Sequence, residues 1–185
     1  MPTNLELKAV VESPVRVNAI LKRKARRDGV LMQTDTYFAI HDGRLKVREF
    51  LGAGAELIYY KREERNGSRW SNYEVIPLTD GARIKVILSK LFPIRVIVKK
   101  RRQLYLYKNA RIHLDDVEGL GQFIEFEVIV KSGKRQAHTV YTQLRELLNI
   151  QDTDIIKCSY ADLMEQQLKS RHPLTRSLRT GVKRG

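Results

Sequence analysis

Glu125 and Glu127 stand two residues apart in Phe123-Ile124-Glu125-Phe126-Glu127-Val128. A strand here carries both carboxylates on one face and Ile124, Phe126 and Val128 on the other. Two carboxylates on one strand face are either a solvated edge or a cation site, because like charges tolerate closeness when a positive ion sits between them. Asn4-Leu5-Glu6-Leu7-Lys8-Ala9 has the same habit, with Asn4, Glu6 and Lys8 on one side. Such a strand lines the rim of a sandwich or the wall of a barrel with a wet interior. Gly119 and Gly121 superficially resemble a phosphate loop, but a strand follows them rather than a helix, so they read as turn residues. His41, His113, His138 and His172 have no zinc spacing, although His113 shares a strand face with Arg111 and Asp115. Cys158 lacks a basic partner and reads as a structural thiol.

The elements that must position these groups are mostly strands. Ser13 and Pro14 mark a helix start and Gly29 its stop, with Val17, Ile20, Leu21 and Ala25 near helical spacing. Lys22, Arg23, Lys24, Arg26 and Arg27 crowd the rest of that segment, either as a solvated face or as a surface that gathers polyanions. From Gln33 to Tyr60 and from Arg69 to Pro77 the texture is β, broken at His41-Asp42-Gly43 and Gly52-Ala53-Gly54. Arg69, Ser71 and Tyr73 share a face, part of a phosphate-binding wall or of an ordinary outer surface. Thr79 and Asp80 cap a helix whose Ile84, Ile87, Leu88 and Leu91 form an apolar stripe, read as core. Residues 94–130 return to strand, and two helices follow, one after Gly133 and one capped by Ser159. Strand runs interrupted by helices give an α+β class rather than a doubly wound sheet.

The chain has 185 residues, 42% of them hydrophobic, enough for one core and one main domain. Its net charge of +14 points to an anionic partner. Part of that excess lies in Lys169, Arg171, Arg176, Arg179, Lys183 and Arg184, with no acid after Glu165. Residues 1–168 are therefore expected to form the domain and 169–185 a basic, flexible tail. A single cysteine, the lack of a signal-peptide pattern and the lack of a membrane-length apolar run lead to a cytoplasmic expectation.

Seven stretches occur together in an order that resembles the CYTH domain, the family of triphosphate tunnel metalloenzymes that includes class IV adenylyl cyclases and thiamine triphosphatases. They are Glu6-Leu7-Lys8, Gln33 to Phe38, Leu45 to Glu49, Lys100-Arg101-Arg102, Arg111 to Asp115, Glu118 to Gly121 and Phe123 to Glu127. The resemblance spans residues 4 to 165, and each motif alone is weak. It implies a closed antiparallel β-barrel of about eight strands with flanking helices. It also implies Mg²⁺ or Mn²⁺ as cofactor. Glu6, Glu125 and Glu127 would be metal ligands, with Asp115 a further ligand or support. Lys46, Arg48, Lys61, Arg62, Lys100, Arg102 and Arg111 would bind triphosphate, with the choice between Lys61 and Arg62 left open. Lys8 would touch the triphosphate and act on the attacking water. In Lys99-Lys100-Arg101-Arg102 alternate residues face opposite ways, and only the resemblance selects Lys100 and Arg102. The family's opening motif usually has two glutamates before the lysine, whereas Asn4 stands first here, offering a neutral oxygen without charge.

An interior lined by seven cations and four acids would be heavily penalised in a dry core, since each unpaired buried charge costs several kcal/mol (roughly). It is reasonable in a tunnel filled by water, a polyanion and divalent ions. The sequence thus reads as a metal-dependent phosphohydrolase acting on inorganic triphosphate, thiamine triphosphate or a nucleoside triphosphate. The alternatives are cyclisation of ATP to cyclic AMP and pyrophosphate, and a non-catalytic binder of nucleic acid or another polyanion. The basic tail could also recruit nucleic acid or an acidic partner, and pairing with a second copy of the chain stays open.

Overall fold

The computed structural model describes residues 3–65, 68–131 and 133–171. The elements are β1 (Thr3–Val10), α1 (Pro14–Lys24), β2 (Arg26–Phe38), β3 (Arg44–Phe50), β4 (Ala55–Arg65) and β5 (Ser68–Leu78). There follow α2 (Gly81–Leu91), β6 (Ile94–Tyr107), β7 (Ala110–Val117), β8 (Gly121–Ile129), α3 (Lys134–Leu148) and α4 (Tyr160–Arg171). This is the α+β class expected. The antiparallel order is β1-β5-β4-β3-β2-β6-β7-β8, and β1 pairs with both β5 and β8, so the ladder returns on itself as a barrel. No helix among the described residues is long and apolar enough to cross a membrane.

Alternation along the strands turns the usual arrangement inside out. Leu5, Leu7 and Ala9 of β1, Ile112 of β7, and Ile124, Phe126 and Val128 of β8 are buried together on the outer face. Leu21 of α1 and Ala137, Val140, Leu144 and Leu148 of α3 cover them. Each such aliphatic burial contributes roughly 1.5–3 kcal/mol, so much of the fold's hydrophobic stabilisation lies outside the barrel. The inner face is thereby left to polar side chains. One end is filled by Tyr160 of α4, which joins the inward-facing Val96, Val98, Val117 and Phe123. Arg44 binds both carboxylate oxygens of Asp162 at 3.1 and 2.9 Å, and Arg95 bridges Asp162 and Glu165, which fixes α4 to the strand ends.

Two expectations need correction. Helix α1 ends at Lys24, not at Gly29, because pairing of β2 with β6 begins at Arg26. Gly29 instead sits in β2 at a shift of register. The stripe on α2 is not core: Ile87 is 46% and Leu91 67% exposed. That helix begins close against the sheet, where a Cβ on Gly81 would collide with Ala55, and Lys85 is tied to Glu49 of β3. Helix α4 extends from Tyr160 to Arg171. Residues 172–185, with His172 and the remaining basic positions of the tail, lie outside the described residues.

Candidate functional site

The inner faces of all eight strands enclose a cavity of about 360 Å³. Of the residues singled out from the sequence, Glu6, Lys8, Lys46, Arg48, Lys100, Arg102, Arg111, Glu125 and Glu127 line it. The pleat settles the ambiguous tetrad, since Lys100 and Arg102 are buried while Lys99 and Arg101 are exposed. Lys61 is not in the cavity: it is exposed and paired with Asp42, because its neighbour Tyr60 takes the inward position. The side chains of residues 62–72, including Arg62, Arg69 and Ser71, lie outside the described residues.

Asp35 is the centre that sequence reading missed. It faces Arg48 directly across β2 and β3, and the guanidinium grips it with Nε–Oδ1 at 2.7 Å and Nη2–Oδ2 at 2.9 Å. Lys46 and Lys100 donate to the same Oδ2 at 2.9 and 2.8 Å. Burial opposes ionisation of Asp35, but Arg48, Lys100 and Lys46 overcome it and hold the carboxyl well below its usual range. The lysines feel the opposite balance. Burial, reinforced by Arg48, Arg102 and Lys46, pushes Lys100 down to about 7 although Asp35 works against it. Burial and Arg48 likewise lower Lys46.

A second network joins β6, β7, β8 and α4. Arg102 donates to both oxygens of Asp115 at 2.7 and 2.6 Å and to Glu125 Oε2 at 2.7 Å. The Tyr160 hydroxyl donates to Asp115 Oδ2 at 2.9 Å. Both oxygens of Asp115 are so engaged, and it stands behind Arg102, outside the cavity lining. Burial resists charge on Glu125, yet Lys8, His113 and Arg102 keep it well below the usual carboxylate range. His113 stands behind Glu125, with Nδ1 3.9 Å from Oε2. Lys8 is 2% exposed. Its Nζ lies 3.9 Å above the Tyr160 ring, 3.4 Å from the Cys158 carbonyl oxygen and 3.9 Å from Glu125 Oε1.

Glu6 and Glu127 face each other in register across β1 and β8. Like charges directly opposite are unfavourable unless a cation intervenes. Asn4, two residues away on the same face, is buried, and its Oδ1 has no hydrogen-bond partner. An orphaned amide oxygen beside two carboxylates fits a hard divalent ion, which takes oxygen donors. No group of three His, Cys, Asp or Glu residues that could hold a metal occurs among the described residues. The fit is therefore to an ion that shares its coordination with Asn4 and with a bound ligand's oxygens. Glu125 also lines the cavity and accepts from Arg102 through Oε2.

A model of the CYTH domain matches residues 3–160, and the chain belongs to this family. It is 28% identical over 148 residues to a provisionally named adenylate cyclase of Methanocaldococcus jannaschii, covering 77% of this chain and 83% of that protein. A conserved hypothetical protein of Pyrococcus furiosus has the same fold, with a TM-score of 0.78, 20% identity and coverage of 86% and 99% of the two chains. So does a Hippeastrum protein named as an adenylyl cyclase, for which a dominant triphosphatase activity is reported. Its TM-score is 0.66, with 13% identity and coverage of 90% and 96%.

Proposed function

We propose that this CYTH protein is a divalent-metal-dependent enzyme that binds a triphosphate inside the barrel and hydrolyses it at the terminal phosphorus. The observation that carries the proposal is the meeting of six cationic side chains in one enclosed cavity that also holds the opposed Glu6 and Glu127. Arg48 and Arg102 offer planar donor forks, while Lys46, Lys100, Lys8 and Arg111 supply further positive charge for phosphate oxygens. Glu6 and Glu127, with Asn4, would hold Mg²⁺ or Mn²⁺. Such an ion, when bound, neutralises phosphate charge and stabilises charge that develops in the transition state. The acids behind the arginines keep their forks oriented, so the cavity presents donors before substrate arrives. The Lys8 amine lies among a carbonyl oxygen, a ring face and a carboxylate, surroundings that suit a donor to phosphate better than an acceptor from water.

Cyclisation of ATP is the second reading, supported by the name of the Methanocaldococcus relative, and the activity reported for the Hippeastrum protein supports hydrolysis. The two differ in whether a ribose 3′-oxygen or a water is aligned with phosphorus. Incubation with ATP, thiamine triphosphate and tripolyphosphate under Mg²⁺ and Mn²⁺, with product analysis, decides between them. Orthophosphate release that EDTA abolishes is expected. Cyclic AMP and pyrophosphate would transfer the assignment to cyclisation. Binding of nucleic acid that survives EDTA, with none of the three triphosphates turned over, would sink both in favour of a polyanion binder.

A further inference from the structure

One stretch outside the barrel strands reaches into the cavity. Ala9 of β1 forms an isolated bridge with Ile155, and the Ile156 amide donates to the Lys8 carbonyl oxygen at 2.8 Å. The Lys8 side chain meets the same stretch, since its Nζ lies 3.4 Å from the Cys158 carbonyl oxygen and 3.9 Å above the Tyr160 ring. Residues 155–160 therefore hold Lys8 by its backbone and by its amine. Apart from Ser159, Tyr160 is the only residue of the described cavity lining that no strand supplies.

Local sequence sets where that ring points. The Ser159 amide and hydroxyl donate to Asp162 Oδ2 at 2.9 and 2.7 Å, and the Asp162 amide donates back to Ser159 Oγ at 3.2 Å, which caps α4. Arg44 of β3 donates to Ser159 Oγ and to Asp162, so Tyr160 is fixed between two anchored neighbours. The ring is 4% exposed and packs against Phe123, a place that phenylalanine would fill as well. Packing does not account for the hydroxyl, which donates to Asp115 Oδ2 at 2.9 Å while Asp115 grips Arg102 through both oxygens. Burial and the charges of Asp115 and Glu125 push this hydroxyl well above its ordinary range, which keeps its proton in place as a donor. Nor does packing account for the ring face under Lys8, because an ammonium cut off from water gains from a π-surface that an aliphatic side chain lacks.

We infer that Tyr160 is a positioning residue through which the 155–160 stretch aims two of the six cavity cations, Lys8 by its ring and Arg102 by its hydroxyl on Asp115. The inference rests on the triphosphate reading above and adds to that site a group from outside the strands.

Isothermal titration with tripolyphosphate and ATP compares the wild type with Tyr160→Phe and Tyr160→Leu, and thermal melts verify folding. Tyr160→Phe is expected to weaken binding about fivefold, because Asp115 loses one of its two donors, and Tyr160→Leu about thirtyfold, because Lys8 loses the ring as well. The gap between the two variants should close in a Lys8→Met background, where the ring has no ammonium to hold. A gap that persists there marks packing alone and overturns the inference, as does wild-type affinity in Tyr160→Phe. Should Tyr160→Leu melt early, Tyr160→Phe and the signal of Lys8 itself carry the test. Proton NMR of the ligand-free protein is expected to show one lysine ε-methylene moved upfield by the Tyr160 ring and lost in Lys8→Met. Without that signal the inference falls, whatever the protein binds. With it, and with neither tripolyphosphate nor ATP bound by the wild type in the presence or absence of Mg²⁺, the triphosphate reading fails while the placement of Lys8 by Tyr160 stands.

Discussion

Two sets of carboxylates share one cavity and are treated in opposite ways. Asp35 is enclosed by Arg48, Lys46 and Lys100 and contributes its charge entirely to holding those cations together. Glu6 meets another acid, Glu127, across the strand pair, in a geometry that an external divalent ion would relieve. The first arrangement is complete within the protein and the second is suited to be completed by a cofactor. Similar residue types on the same inner surface thus divide into scaffold and site according to which strands converge on them.

The largest expected effect breaks the first set. Asp35→Asn leaves three buried cations in mutual repulsion and should destabilise the fold by about 3–5 kcal/mol, read from denaturant unfolding. Glu127→Gln should do the reverse, leaving unfolding nearly unchanged while removing the thermal stabilisation conferred by Mn²⁺. Equal destabilisation by the two changes would erase the distinction between them.

A smaller effect concerns pH. Lys100 titrates near 7 in the folded protein, below its ordinary range, so the unfolded chain binds more protons between about pH 7 and 10. Stability should therefore rise with pH through that window, while affinity for tripolyphosphate falls as Lys100 loses its charge. Parallel urea melts and titration calorimetry at pH 6.5 and 8.5 test the signs, and Lys100→Arg should flatten the binding trend. Least of all should change in Lys61→Ala, because Lys61 pairs with Asp42 outside the cavity. Its kcat/KM for any substrate turned over should match the wild type, and a clear loss would return Lys61 to the phosphate-binding set.

Alternation made much of the site legible before folding. In β1 and β8 polar and apolar residues separate cleanly by face, so Glu6, Lys8, Glu125 and Glu127 could be assigned to one surface. Asp35 could not be found that way. Gln33-Thr34-Asp35-Thr36 is polar on both faces, and the importance of Asp35 arises because the next strand, β3, and the sequence-distant β6 both close on it. The place of Tyr160 beneath Lys8 and Asp115 is likewise a product of the docking of α4. The α2 stripe shows the converse limit: its periodicity revealed a helix, but periodicity does not say what covers Ile87 and Leu91. Gly29 was read as a helix stop because glycine marks both helix ends and irregular strands, and only the β2–β6 pairing distinguishes them.

The apolar seam beneath α1 and α3 has a consequence for how this architecture can change. Because greasy contacts that hold the shell together are made on its outer skin, the lumen can be relined without unpicking them. Exchanges at Val75 or Glu56, which belong to neither apolar cluster, should retune what the chamber accepts while the shell keeps its shape, which gives one framework room to serve several chemistries.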